Sequence, residues 1–191
     1  MDDGELFVRS PTVFAGYFKD EAATREILDD AGWLATGDIA SIDEDGFVTI
    51  TDRKKDILVT AGGKNVAPQN LENELKSSKY VSQALVVGDR RPYVAALITL
   101  DPVELASWAA RCALDGDLAA LATHPDVHAL VQGIVDGVNA AHSRYEQIKR
   151  FVVLPRDFSA DEGEVTPTLK LRRKICAEHF AGAIEGLYSV S

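Results

Sequence analysis

An α+β fold is predicted for this 191-residue chain, and three patterns predict it. Gly46 to Thr51 alternates apolar and polar residues as a half-buried strand does, and an Asp-Gly turn joins it to the strand before it. Two further strands flank a tight Asp89-Arg90-Arg91-Pro92 connection, so a second antiparallel hairpin is expected. Apolar stripes at helical spacing surround that hairpin, the longest being Val127, Leu130, Val131, Ile134, Val135 and Val138. Hairpin strands covered by helices make an α+β arrangement rather than a strictly alternating one.

Taken in order, Glu5-Leu6-Phe7-Val8-Arg9 reads as a short strand. Asp20 to Asp30 reads as a helix: Asp20 caps it, Glu21 stands in its first turn, and Gly32 follows its end. Ile39 to Ile42 and Phe47 to Thr51 are strands joined by Asp43-Glu44-Asp45-Gly46. Residues 1–52 hold too few apolar positions for a good core and read as the β-rich tail of a larger domain. The stretch from Asp52 to Lys64 then sets a knot of charge before Ile57-Leu58-Val59-Thr60, which has strand character, and before the pair Gly62-Gly63. Adjacent glycines let the backbone take positive φ and let another molecule come close, so this stretch reads as a functional hinge.

Downstream, Pro68 opens a helix at its first position, with Leu71 and Leu75 on one face and Glu72 placed four residues before Lys76. Gln83 to Gly88 and Tyr93 to Leu100 are the strands of the second hairpin. Asp101 caps the next helix, Glu104 follows three on, and Leu105, Trp108, Ala109 and Cys112 form its stripe. After the valine-rich helix come Phe151-Val152-Val153-Leu154, a buried strand, and a last helix from about Arg172 to Leu187. That helix turns Ile175, Cys176, Phe180, Ala183 and Ile184 inward.

With 30 acidic against 20 basic side chains the net charge is −10, which disfavours nucleic acid as a partner and confines any phosphate site to a local patch. Cys112 and Cys176 both fall on apolar stripes without a CxxC context, so buried thiols and a reducing compartment are expected. No apolar run approaches the ~20 residues of a membrane-crossing helix, and Met1-Asp2-Asp3-Gly4 has no signal-peptide character. A cytoplasmic protein is expected. His124 and His128 are four apart, yet Pro125 suits only a helix start and no third ligand is near, so no metal site is predicted. Trp33 and Trp108 read as packing residues rather than a stacking platform.

Three separated stretches occur together and in order: Gly32-Trp33-Leu34-Ala35-Thr36-Gly37-Asp38, Gly46 through Lys64, and Thr166-Pro167-Thr168-Leu169-Lys170-Leu171-Arg172-Arg173. They resemble the motifs of the adenylate-forming enzymes, which include acyl-CoA synthetases, luciferases and the adenylation domains of peptide synthetases. The resemblance covers essentially the whole chain but only the C-terminal third of a family member. It implies that residues 1–52 end a large β-rich N-terminal domain, that 53–56 are a hinge, and that 57–191 form a small, mobile α+β lid domain. The phosphate loop, the acyl pocket and the magnesium-binding glutamate belong to the N-terminal part, so this chain alone is expected to be an inactive fragment.

The resemblance also assigns roles. Asp38 matches the carboxylate that accepts hydrogen bonds from the ribose hydroxyls of the nucleotide; read alone, it is a turn-capping Asp. Arg53 matches an arginine whose guanidinium forks to the same ribose, against the alternative of an exposed strand end. Lys55 falls at the hinge position, where a flexible charged residue stays solvated through a large backbone change. Gly62 matches the glycine lining the passage for the pantetheine arm of coenzyme A, and Gly63 shares that loop, with a plain positive-φ turn as the alternative for both. Lys64 is a further phosphate candidate. Lys170 matches the catalytic lysine that bridges the acyl carboxylate and the α-phosphate of ATP, a compact charge set against developing negative charge. Leu169 stands where the family's usual glycine would be.

Asp52-Arg53-Lys54-Lys55-Asp56, Gly62-Gly63-Lys64-Asn65, Arg144 to Lys149 and Thr166 to Lys170 are most similar to bacterial long-chain fatty acid–CoA ligases. The implied substrates and cofactors are a fatty acid, ATP, coenzyme A and Mg²⁺, with peripheral membrane contact compatible with an oily substrate. Two alternatives stay open: part of a fatty acyl-AMP ligase that loads a carrier protein, and a noncatalytic interaction domain.

Overall fold

The structure is a computed structural model that describes residues 4–168 and 170–189. Met1-Asp2-Asp3 and Leu169, both singled out above, lie outside the described residues. The chain divides into two compact units, Met1–Ile57 and Leu58–Ser191.

The first unit contains β1 (Glu5–Val8), α1 (Glu21–Ile27), β2 (Leu34–Ile42) and β3 (Val48–Arg53), followed by a 3₁₀ turn at Lys54–Asp56. The strands form one antiparallel sheet in the order β1-β2-β3. Asp43 closes the β2–β3 turn: its Oδ1 accepts from the backbone N–H groups of Asp45 and Phe47, and Gly46 supplies φ +85°. Helix α1 is capped by Asp20 as expected but stops short of Asp30. Leu28 turns extended and bridges Leu34, while the Asp29 carboxylate accepts from the N–H groups of Ala31 and Trp33. Local side-chain hydrogen bonding of this kind competes with the helix and ends it. Among the described residues no buried hydrophobic belongs to this unit, whereas Phe7, Phe14, Tyr17, Phe18, Trp33, Ile42, Phe47, Val48 and Ile50 are exposed.

The second unit opens with a small hairpin, β4 (Leu58–Val59) and β5 (Asn65–Val66), and continues with α2 (Pro68–Lys76), β6 (Val81–Val87) and β7 (Val94–Leu100). Helices α3 (Pro102–Arg111), α4 (Leu118–Ala122) and α5 (Pro125–Asn139) lead to β8 (Ile148–Val153), and α6 (Arg173–His179) and α7 (Ala181–Tyr188) end the described chain. The sheet order is β6-β7-β8, with β6 and β7 the expected antiparallel hairpin. Strand β8 runs parallel to β7, which the intervening helices make possible, since parallel neighbours need a long crossover.

Strand β7 is buried at every position. Its even-numbered Val94, Ala96, Ile98 and Leu100 join a cluster with Leu71, Leu75, Leu105, Val127, Val131 and Val135. Ala95 and Leu97 join a second cluster with Phe158, Val165, Cys176 and Leu187. The period of two along a strand sends neighbours to opposite faces, so this uninterrupted apolar run serves two cores. Thr99, on the second face, is fully buried and satisfied by donating to Asp157 Oδ1 at 2.6 Å.

Several expectations are corrected. The strand expected over Ile57 to Thr60 shortens to Leu58–Val59, because the Thr60 hydroxyl turns back to the Lys64 backbone. The last helix is two helices, broken at Phe180 (φ −103°, ψ 23°), whose ring packs edge-on against Phe158 at 5.6 Å. Cys112 is exposed rather than buried, since α3 ends at Arg111 and the thiol falls past the stripe. Glu72 does not sit on a solvated face beside Lys76; it is 2% exposed and faces Arg173. The valine stripe of α5 is buried as expected at Val127, Val131, Val135 and Val138.

Candidate functional site

In the first unit, the sheet register sets Asp38 directly across from Arg53. Arg53 Nε lies 2.9 Å from Asp38 Oδ1. The preceding turn is tied down on both sides. The Thr36 hydroxyl donates to the Leu6 carbonyl at 2.8 Å and accepts from Asp38 N–H at 3.1 Å, and Gly37, at φ +70°, donates its N–H to Glu5 Oε1. The Thr-Gly-Asp order thus has a physical reading: hydroxyl anchor, left-handed turn, aimed carboxylate. A two-oxygen acceptor beside a forked donor, the Asp half-buried and the Arg exposed, fits a vicinal diol such as a ribose. Lys55 lies in the 3₁₀ turn with its side chain exposed. Arg53 and Lys54 are exposed too, so this segment is not locked inside a core.

In the second unit, Gly62 and Gly63 form the tip between β4 and β5. Gly63 N–H donates to the Thr60 carbonyl at 2.8 Å, and Thr60 N–H to the Lys64 carbonyl at 3.0 Å. The hairpin is fastened from outside by Ala61 N–H to the Arg91 carbonyl and Arg90 N–H to the Val59 carbonyl. The two glycines differ. Gly63 has φ +71°, in the left-handed region that favours glycine. Gly62 has no positive φ, and a Cβ built there meets nothing nearer than Thr60 Oγ1 at 3.9 Å. No neighbour within the described chain calls for a glycine at 62, and both glycines are exposed. Lys64 is exposed, its Nζ 5.8 Å from the ring centre of Tyr145.

Lys170 sits on a tight loop whose base is the antiparallel bridge between Val165 and Leu171. Thr166 clamps it twice, donating its N–H to the Lys170 carbonyl at 2.8 Å and accepting from Lys170 N–H on its hydroxyl at 3.0 Å. The Lys170 side chain is exposed, with no ion pair among the described residues. This is what the Thr-Pro-Thr stretch does locally: it holds the lysine backbone while leaving the ammonium free to reach outward.

Sequence reasoning missed the groups beneath that loop. Glu164, adjacent to the bridge, is fully buried. Its carboxylate takes both ends of the Arg156 guanidinium at 2.7 Å, the Ser159 N–H at 2.8 Å and His179 Nδ1 at 3.0 Å. The Arg156 hydrogen bonds hold this carboxyl down at about 2, against the opposing effect of burial. The Glu164 carbonyl accepts from Arg172 N–H at 2.8 Å and from the Cys176 thiol at 3.3 Å. Burial, helped by the nearby Glu164 charge, pushes the Cys176 thiol up to about 11. A second buried pair follows the loop: Arg173 Nη2 meets Glu72 Oε2 at 2.6 Å, and Val86 N–H donates to Glu72 Oε1. Burial raises the Glu72 carboxyl, and the Arg173 charge opposes it. Asp161, Glu162 and Glu164 look alike in sequence, and nothing local marks the one that Arg156, Ser159 and His179 surround.

His124 caps α5, its Nδ1 accepting from Asp126 N–H, and His128 stacks on Phe151 at 4.5 Å, so both have ordinary structural duties. Among the described residues, no group of three or more His, Cys, Asp or Glu is arranged to hold a metal ion. Among them, too, no helix is long and apolar enough to cross a membrane. A cavity of about 300 Å³ opens between Leu58, Val87, Arg91, Lys174, Ile184 and Tyr188, and none of the candidate residues lines it.

Over 190 residues the chain is 50% identical to the long-chain-fatty-acid–CoA ligase FadD15 of Mycobacterium tuberculosis, covering 98% of this chain and 32% of that protein. It is 39% identical to long-chain-fatty-acid–CoA ligase 6 of Homo sapiens, covering 99% of this chain and 28% of the relative. The chain thus spans about a third of the length of these curated relatives. Among solved structures, the adenylation domain of the carboxylate reductase from Mycobacterium chelonae superposes with a TM-score of 0.78 at 30% identity, over 97% of this chain and 27% of that one. The family model of the AMP-binding enzyme C-terminal domain matches residues 55–191, which hold Lys55, the glycine hairpin and the clamped Lys170 loop. The chain belongs to the AMP-binding enzyme C-terminal domain family.

Proposed function

We propose that this chain is the C-terminal part of an AMP-forming long-chain fatty acid–CoA ligase, which joins a fatty acid to coenzyme A at the expense of ATP. Its similarity over nearly its full length to ligases of that description supports the reading. The observation that carries it is the Lys170 loop: a backbone clamped by Thr166 that presents an exposed ammonium. Such a cation stabilises the negative charge that builds as a carboxylate attacks the α-phosphate of ATP and pyrophosphate departs. Asp38 and Arg53 hold the nucleotide ribose. The open flank of Gly62 admits the pantetheine arm of coenzyme A in the second half-reaction, in which the thiol displaces AMP. Lys55 is the pivot that exchanges the two arrangements, a gating motion of the kind that lid domains perform. Residues 1–52 end the N-terminal domain, 53–56 form the hinge and 57–191 the lid. Mg²⁺ accompanies ATP, its ligands lying in the N-terminal part, and the two free cysteines support action in the cytoplasm.

In the full-length enzyme, Lys170→Ala is expected to reduce acyl-AMP formation by at least about a hundredfold, the scale of removing one transition-state charge contact. Thioester formation from supplied acyl-AMP is expected to persist within about threefold. Equal loss of both half-reactions rules against the assignment, and product accumulating on a carrier protein instead of coenzyme A replaces the acceptor.

A further inference from the structure

We propose that Glu164 is a positioning residue for Lys170, setting the reach of the ammonium in the acyl-AMP half-reaction; this rests on the role assigned to Lys170 above. The Lys170 loop has only a narrow footing, the Val165–Leu171 bridge. Immediately outside that bridge, Glu164 is held by both its backbone and its side chain. Its carbonyl takes Arg172 N–H and the Cys176 thiol, which fasten the returning strand and α6. Its carboxylate takes Arg156 from the segment after β8, Ser159 from the following turn and His179 from the end of α6. Four separate parts of the unit therefore converge on one residue, two positions before Thr166, which in turn grips Lys170 at both N–H and carbonyl.

A buried carboxylate with this many donors is a poor device for stability alone, because desolvating the charge offsets much of the attraction. What it supplies is a single geometry. Two parallel N–H···O bonds from a guanidinium fix direction as well as distance, and the fully buried carboxylate offers no room for alternatives. Displacements of about 1 Å in a catalytic group cost on the order of a hundredfold in rate. A clamp at the base of a short loop is where such displacements are prevented. The neighbouring Glu72–Arg173 pair is built similarly, but it fastens α6 to α2 and β6 rather than the loop itself.

The test compares half-reactions in the full-length enzyme carrying Glu164→Gln or Arg156→Gln, with Lys170→Ala as reference and Leu75→Ala, in the other core cluster, as a control for general loosening. Acyl-AMP formation is followed by pyrophosphate release in a single turnover, and thioester formation by supplying acyl-AMP and coenzyme A. Both Glu164→Gln and Arg156→Gln are expected to slow the first by roughly 10- to 100-fold and leave the second within about twofold, while Leu75→Ala shows no such split. If Lys170→Ala cripples acyl-AMP formation but the Glu164 and Arg156 variants leave it within about twofold, or slow both half-reactions equally, positioning is overturned. If Lys170→Ala itself spares acyl-AMP formation, the underlying functional reading fails instead.

Discussion

Replacing Glu164 by Gln removes one buried charge while preserving size and much of the hydrogen bonding, which makes its energetic effect calculable. The Glu164 carboxyl lies at about 2 instead of the ordinary 4.5. A difference of about 2.5 units corresponds to about 3 kcal/mol of preference for the charged form in the folded state. Arg156, its main partner, keeps 45% of its side chain in contact with water, and screening at that end brings the expectation down to about 2 kcal/mol. The sign follows from the depressed folded-state value. Stabilisation is fully present above the unfolded value of 4.5 and fades as pH falls through the folded value of about 2. Glu164→Gln should therefore lower stability by about 2 kcal/mol near neutrality and by less than about 1 kcal/mol at pH 3. Urea unfolding of the 191-residue chain and its variant, followed by far-ultraviolet circular dichroism at several pH values, measures the gap. A gap that stays constant from pH 7 to pH 3 refutes the reasoning, because it would show that the loss comes from packing rather than from the ionised carboxylate.

The two thiols should separate under a disulfide-exchange reagent such as dithionitrobenzoate: exposed Cys112 reacts promptly in the native protein, while Cys176, buried and held up at about 11, reacts only on unfolding, and rapid labelling of both contradicts the packing of α6. The adjacent glycines should also part company. Gly63→Ala forces a side chain onto φ +71° and is expected to cost about 1 kcal/mol in urea unfolding. Gly62→Ala should change stability by less than about 0.5 kcal/mol and slow thioester formation in the full-length enzyme; the reverse pattern would exchange their roles.

Much of the architecture was legible because it rests on local rules. Asp20 and Asp101 cap α1 and α3 as their spacing indicates, Pro68 opens α2, and the Asp-Gly turn joins β2 to β3. The facing of Asp38 and Arg53 was not legible: the β2–β3 register shifts between Ile39 and Ala40, and without that shift Asp38 would stand opposite Asp52. The division of labour between Gly62 and Gly63 was not legible, because sequence gives residue type but not φ. Long-range charge pairing was hidden for a related reason. Glu72 obeys the spacing of a helix-surface pair with Lys76, yet a guanidinium 101 residues away draws it inward. Helix ends were misjudged where tertiary contacts intervene: Leu28 leaves α1 to bridge a strand, and Phe180 breaks the last helix to pack on Phe158. The first unit lacks a core as expected, but not for want of apolar residues: large ones such as Phe7, Phe18, Phe47 and Ile50 stay exposed, while ladders pair its strands.

Strand β7 has one more consequence. Leu97 looks toward Val165 and Cys176, the floor on which the lysine loop stands, whereas Ile98, the next residue along, looks toward Val127 and Val131. Isotope-labelled methyl groups at these two neighbours are therefore two independent gauges mounted on one rigid bar. A disturbance spreading from the loop registers at the first and leaves the second quiet.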